Sequence, residues 1–410
     1  MLMKKLKNLD IDYLALTVCL LIAFNPIKNV LILSVRKVIQ LPLHIDVIIL
    51  YSLACFTIFK ALLAIKQMKK DILILLVLLL CILLATLIIT GKQNNAFLLD
   101  IYIQTLFSFV VGYTFCRNID NYHLLKIYLE CTAIVLIITQ IFSIFILKEN
   151  ILMDKTYSQE QAYILLPAVI ISLNSLFDKI TLVHLVNFFV GIWLIFMMGT
   201  RGPLACMLFF TLVRVLLKTM QAKRKYVIIG SVMIVTYGVY TYFTKLMEIA
   251  LIISENLHLS TRSIIQILNG SFFMDSTRNV LKVFSIKLIQ ERPLFGWGMG
   301  NDRLKLASMF HYDDAIGWYP HNFFLEILVQ FGVIIGFCFI VYIAYVIFVN
   351  VFSKQIGYDE KNVFLIFLAI GFFPLLFSGS YMTWTLFWAF LGFGVSGILY
   401  EKEHRDATIY

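Results

Sequence analysis

Long apolar runs recur from one end of the chain to the other, at about 11–33, 44–65, 71–90, 96–116, 123–147, 161–177, 180–198, 203–217, 226–244, 321–350, 361–377 and 382–400. At about 1.5 Å of helical rise per residue, most are about as long as the roughly 30 Å hydrocarbon core of a bilayer is thick. A soluble core cannot absorb so many, because a helix apolar on all sides has no face to turn to water. The expected fold is all-α, a polytopic integral membrane protein of about 12 transmembrane helices. Composition agrees: 61% of residues are hydrophobic and 14% charged, and mean hydropathy is +0.89. Pro26, Pro167 and Pro374 fall inside runs, which predicts kinks whose freed backbone groups neighbouring helices must satisfy.

The net charge is +10, but the basic residues sit mostly in short links between apolar runs, where they orient helices rather than grip nucleic acid. Lys4, Lys5, Lys7, Lys66, Lys69, Lys70, Arg117, Lys126, Lys179, Lys218, Lys223, Arg224, Lys225, Lys354, Lys361, Lys402 and Arg405 all fall on one side of the expected topology. That side is assigned to the cytoplasm, with both termini. The seven cysteines lie in or beside apolar runs without disulfide or zinc spacing. The basic, apolar N-terminus reads as a first transmembrane helix.

Three regions follow: a transmembrane bundle over 1–244 with about nine helices, a large outer connection over 245–320, and C-terminal helices with a cytoplasmic tail over 321–410. The outer connection is expected to be folded and partly helical. Residues 275–293 carry apolar positions at three-to-four spacing, with Asp275 or Ser276 as N-cap and Pro293 as a stop.

Residues suited to chemistry gather in and near that connection. Arg201 stands between Gly199-Thr200 and Gly202-Pro203 at a helix end, where a guanidinium can grip a phosphate bidentately or snorkel to headgroups. Arg278 stands near the start of the loop helix, where backbone donors also favour an anion, or an ion pair with Asp275. Glycines at 296, 298 and 300 suit a tight turn or close backbone approach. His321, after Pro320 and before Asn322, sits at a helix N-terminus that favours neutral imidazole, the form able to take a proton. Glu326 either orients His321 or faces the bundle. Asp313-Asp314 lacks a third oxygen ligand at fixed spacing, so no metal is expected, and His311 reads as loop. No hydrolase motif is present.

Taken together, ThrArgGlyPro at 200–203, Arg278 after Ser276-Thr277, PLFGWGMGN at 293–301 and PHNFFLEILVQFG at 320–332 resemble the O-antigen ligase and Wzy-type polysaccharide polymerase superfamily of bacterial surface-polysaccharide enzymes. Thr277 stands where the family often has Gly, and Gly336 comes one position later than the family's glycine. The resemblance implies an inverting glycosyl transfer, independent of metal and cofactor, on the outer face of the bacterial cytoplasmic membrane. His321 would be the catalytic base, Arg201 and Arg278 would bind the diphosphate of a polyprenyl-linked donor, and Asn322, Glu326 and Gly298 would support them.

Polymerase and ligase differ only in acceptor, a second lipid-linked repeat unit or the lipid A core. The YPHNFFLEI form and the isoleucine-, lysine- and phenylalanine-rich character resemble polysaccharide polymerases, a resemblance that favours the polymerase of O-antigen, capsule or exopolysaccharide. Membrane lipid, a chain-length regulator and a flippase are the further expected partners. A flippase itself is the reading from another class, disfavoured because the candidate residues gather at one membrane face rather than around a central cavity.

Overall fold

The computed structural model describes residues 11–38, 45–65, 95–143, 159–221, 261–270, 276–310 and 318–407, with isolated positions between 241 and 256. Among these the regular structure is helical. In chain order the helices are α1 (Tyr13–Val38), α2 (Ile45–Leu63) and α3 (Asn95–Val110), the last continuing through a π turn, Val111–Phe115, to Asn118. Then come α4 (Tyr122–Ile141), α5 (Gln159–Asp178), α6 (Leu182–Met197), α7 (Gly202–Gln221), α8 (Arg262–Leu268), α9 (Ser276–Glu291) and α10 (Asn301–Met309). The last three are α11 (Phe323–Phe352), α12 (Tyr358–Phe377, with a π turn at Leu368–Phe372) and α13 (Thr385–Ala407).

The apolar runs at 71–90 and, apart from positions 241 and 244, 226–244 lie outside the described residues; each of the others coincides with a helix. Six helices, α1, α4, α5, α7, α11 and α12, are long and apolar enough to cross a membrane, and α2, α6 and α13 contain shorter apolar helices. The expected dozen is not reached among the described residues. The π turn in α12 ends at Phe372, two residues before Pro374, so the ring meets a stretch where regular α-helical bonding has already been interrupted.

The chain forms two compact units, one from residues 1–129 with 280–410 and the other from 130–279. In the first, α13 packs against α3, α11 and α12. A Cβ on Gly392 would overlap the carbonyl of Phe109, so α3 and α13 touch backbone to backbone, the arrangement small residues permit between helices. Phe364, Phe367, Phe387, Phe390 and Phe393 fill the space around this crossing, fully or almost fully buried.

The segment before α11 is folded on its own apolar centre. Leu281 and Leu288 of α9, Leu306 of α10 and Val329 of α11 are buried together, with Phe284, Trp297, Phe310 and Trp318 packed around them. α9 begins at Ser276 and ends two residues before Pro293, close to the expected limits.

In the second unit α5 packs between α6 and α7. Buried charged side chains there find partners in two places, as a low-dielectric interior requires. Arg214 meets Asp178 at 3.0 Å, and Glu130 accepts from Ser175 at 2.7 Å with His184 3.7 Å away.

Candidate functional site

The sequence expects an uninterrupted helix after Asn322, but the chain breaks it. At Gly332 the backbone of α11 is non-helical, with φ 70° and ψ −177°, a region open essentially to glycine alone. The break frees carbonyls and an N–H inside an apolar element, and the glycine-rich loop satisfies them. Trp297 N donates to Val329 O at 2.9 Å, Gly298 N to Gln330 O at 2.8 Å, and Val333 N to Pro293 O at 2.7 Å. Contact this close leaves no room for side chains. A Cβ on Gly296 would fall 2.5 Å from Gln330 and Gly332 backbone atoms, and one on Gly332 would overlap the Leu294 carbonyl. Gly298 therefore serves as a backbone donor to the broken helix.

The same half-helix carries His321 and Asn322. Asn322 is the N-cap of α11, its side chain accepting from Leu325 N at 3.1 Å, which ties off one of the orphan donors of the first turn. His321 precedes it with φ 52°, a left-handed conformation that costs a non-glycine residue about 1–2 kcal/mol and that concentrates at functional sites. Its Nδ1 lies 3.1 Å from the carbonyl oxygen of Ser378. A carbonyl can only accept, so Nδ1 carries the proton and Nε2 of a neutral ring holds the lone pair. Tyr319 donates its hydroxyl to the same carbonyl at 2.9 Å, and the Tyr319 and His321 ring centres are 4.0 Å apart.

Glu326 does not reach His321 in this arrangement; it turns into the protein and is fully buried. One carboxylate oxygen accepts the Ser380 hydroxyl in a short hydrogen bond and the other accepts Tyr381 N at 3.3 Å. Arg303, 2% exposed, donates to Ser380 Oγ at 2.8 Å, lies 3.9 Å from Glu326 Oε1 and spreads its guanidinium over the Tyr319 ring at 4.9 Å. Beside it, Asp302 accepts from Gln330 at 2.8 Å, and the Gln330 amide oxygen accepts the Tyr381 hydroxyl. Burial pushes the Asp302 carboxyl up to about 6, against the pull of Arg303 and of the Gln330 hydrogen bond. Burial raises the Tyr381 phenol as well, with the Glu326 and Asp302 carboxyls adding to it.

Arg201 and Arg278 belong to the second unit. Gly199, with φ 65°, turns the chain out of α6, and the Arg201 carbonyl accepts from Ala205 N at 3.0 Å, so the half-buried Arg201 stands at the threshold of α7. Pro203 follows in the first turn, where it is tolerated. Arg278 is the third residue of α9 and is half-buried. The structure thus gathers His321, Asn322, Glu326 and Gly298 within the first unit and places both arginines in the second. His311, Asp313 and Asp314 lie outside the described residues.

Residues 186–341 match the model of the Wzy_C family, described as O-antigen ligase. Over this stretch the chain is similar to the O-antigen ligase and Wzy superfamily. No curated protein matches the chain. The matched segment runs from α6 into α11 and contains every proposed site residue, together with Tyr319 and Arg303, which the sequence offers only as loop residues. Ser378 and Ser380 lie beyond the matched segment, in a turn between two apolar runs whose only sequence signal is the polar tract FSGSYMT at 377–383.

Proposed function

We propose that this protein is a polymerase of lipid-linked polysaccharide repeat units, acting on the outer face of the bacterial cytoplasmic membrane. The observation that carries this reading is His321: strained, set at the mouth of a broken helix, and held by the Ser378 carbonyl with Nε2 as its basic atom. In the proposed reaction Nε2 takes the proton of an acceptor hydroxyl as that oxygen attacks the anomeric carbon of the donor. The bond from that carbon to the diphosphate oxygen breaks with inversion, and the diphosphate leaves with the electron pair. Arg201 and Arg278 are assigned to the leaving diphosphate, whose growing negative charge a guanidinium stabilises. That assignment rests on the superfamily resemblance and on their local settings at the starts of α7 and α9. No metal or cofactor enters the scheme.

The break in α11 also bears on depth. Residues 333–352 span about 30 Å by themselves, enough to cross the hydrocarbon core. The shorter half, 323–331, is left for the membrane surface, where the head group of a lipid-linked glycan is presented. A ligase transferring glycan to the lipid A core is the second reading, favoured by the description of the matching family as O-antigen ligase.

The deciding experiment resolves surface glycans, one repeat unit at a time, from a strain deleted for this gene. Lipid A core carrying one repeat supports the polymerase, whereas loss of all attached repeats with polymer left on the polyprenyl carrier supports the ligase. Re-expression of His321→Ala is expected to restore protein to the membrane without polymer; polymer of ordinary length from that strain refutes the base assignment.

A further inference from the structure

The residue that would act as base depends for its protonation pattern on a carbonyl more than fifty positions away, in the turn between α12 and α13. What fixes that carbonyl is a matter of geometry. Ser378 closes α12, its N–H on Pro374 O at 2.9 Å. Two residues on, the turn is clasped by Glu326 through the Ser380 hydroxyl and the Tyr381 N–H. Glu326 lies one turn into α11, the helix that His321 opens. The same short stretch of chain therefore carries the imidazole and the carboxylate that grips the imidazole's partner turn.

Arg303 closes the arrangement from α10. It donates to Ser380 Oγ, faces the Glu326 carboxylate and covers the ring of Tyr319, whose hydroxyl shares the Ser378 carbonyl with His321. Glu326, Arg303 and Ser380 are each at least 98% buried, and Tyr381 is 99% buried. Buried charges of this kind are costly and often cost more than they return in stability. A hydrophobic trio would pack the same space without donors and acceptors aimed at one turn.

We propose that Glu326, Ser380 and Arg303 are positioning residues: through the 378–381 turn they hold the Ser378 carbonyl against His321 Nδ1 and so keep Nε2 as the proton-accepting atom. This rests on the reading of His321 as base, and adds to Glu326 two side chains that the resemblance does not implicate, Arg303 on α10 and Ser380 in a turn outside the family-matched segment. A neutral imidazole without that acceptor divides between its two tautomers, and only one of them presents a basic Nε2. Displacement of a positioned group by about 1 Å can cost on the order of a hundredfold in rate.

The test uses the full-length protein in nanodiscs, labelled with 15N-histidine, alongside the gene-deleted strain carrying each variant. His321→Ala identifies the His321 signals by their loss. In the unaltered protein at pH 8 the spectrum is expected to show Nδ1 protonated and Nε2 unprotonated. In Ser380→Ala and Glu326→Gln the signals should move toward a tautomer mixture, with polymer output reduced about ten- to a hundredfold at unchanged protein level. Ser380→Ala removes one hydroxyl and leaves both charges, so it decides the matter should Glu326→Gln fail to accumulate. An unchanged tautomer in Ser380→Ala overturns the positioning role, even if polymer falls. Polymer from His321→Ala cells overturns the base reading instead, so the two failures are distinguishable.

Discussion

Gly332→Ala is the perturbation for which the structure yields a magnitude most directly. Two costs act at once. The backbone there has φ 70° and ψ −177°, a conformation that costs a residue with a Cβ about 1–3 kcal/mol. The new Cβ would also overlap the Leu294 carbonyl and fall 2.5 Å from Phe295 N. These are backbone atoms, which cannot swing aside as a side-chain tip would, so the 293–298 loop must lift off the helix. Lifting it exposes three hydrogen bonds, from Trp297, Gly298 and Val333, each worth about 1 kcal/mol net. The sum is about 4–6 kcal/mol, a large part of the stability of an ordinary domain. Gly336→Ala is the control, one turn further along the same helix. Its Cβ would meet Leu328 Cδ2 at 3.2 Å and Ile327 Cγ2 at 3.3 Å, both side-chain atoms, and alanine's helix propensity offsets up to about 1 kcal/mol. Unfolding of purified full-length protein, followed by tryptophan fluorescence against denaturant, should separate the two variants by at least about 3 kcal/mol. Equal stability of Gly332→Ala and Gly336→Ala would refute the view that the loop is docked on a broken helix.

Other consequences are more local. Gly296→Ala strikes the same contact from the loop side, so the Gly296→Ala/Gly332→Ala double variant should be clearly less destabilised than the sum of the two singles, in the same unfolding assay. Arg303→Ala leaves Glu326 buried without its cation and is expected to destabilise by about 3–5 kcal/mol, a loss that a thermal melt would register. The Asp302 carboxyl, raised from 3.8 to about 6 by burial, favours the folded state in its protonated form. Its contribution is therefore full below about pH 4 and is lost as pH rises through about 6, amounting to roughly 3 kcal/mol. Unfolding measured between pH 4 and 7 should decline less in Asp302→Asn than in the unaltered protein, by about that amount; equal declines in both would exonerate Asp302. Arg201→Lys keeps the charge but loses the planar fork, and should remove most polymer from the glycan gel if Arg201 grips a diphosphate.

The sequence by itself determined the solvent of this chain. Runs of apolar residues as long as a bilayer is thick admit helices and little else, because lipid offers no partner to an unpaired backbone group. It also marked the candidate site: glycines 296, 298 and 300, then Pro320, His321 and Asn322, break a pattern that is otherwise continuous. Asn322 as helix cap and the helix from 276 to 291 follow from local preferences, which act over a few residues and are written in them.

The partners of those residues were not visible, because they arrive from far away in the chain. Nothing near Gly332 says that a helix-forming run will be broken there; only the loop at 293–298, supplying the missing donors and acceptor, makes the break affordable. Arg303 reads as one more loop cation until folding buries it against Glu326, and Ser378 reads as a turn residue until its carbonyl meets His321. Glu326 was expected either to orient the imidazole or to face the bundle. Tertiary structure sends it inward, onto the turn that bears the histidine's acceptor, because a buried carboxylate must find its donors wherever the fold has put them.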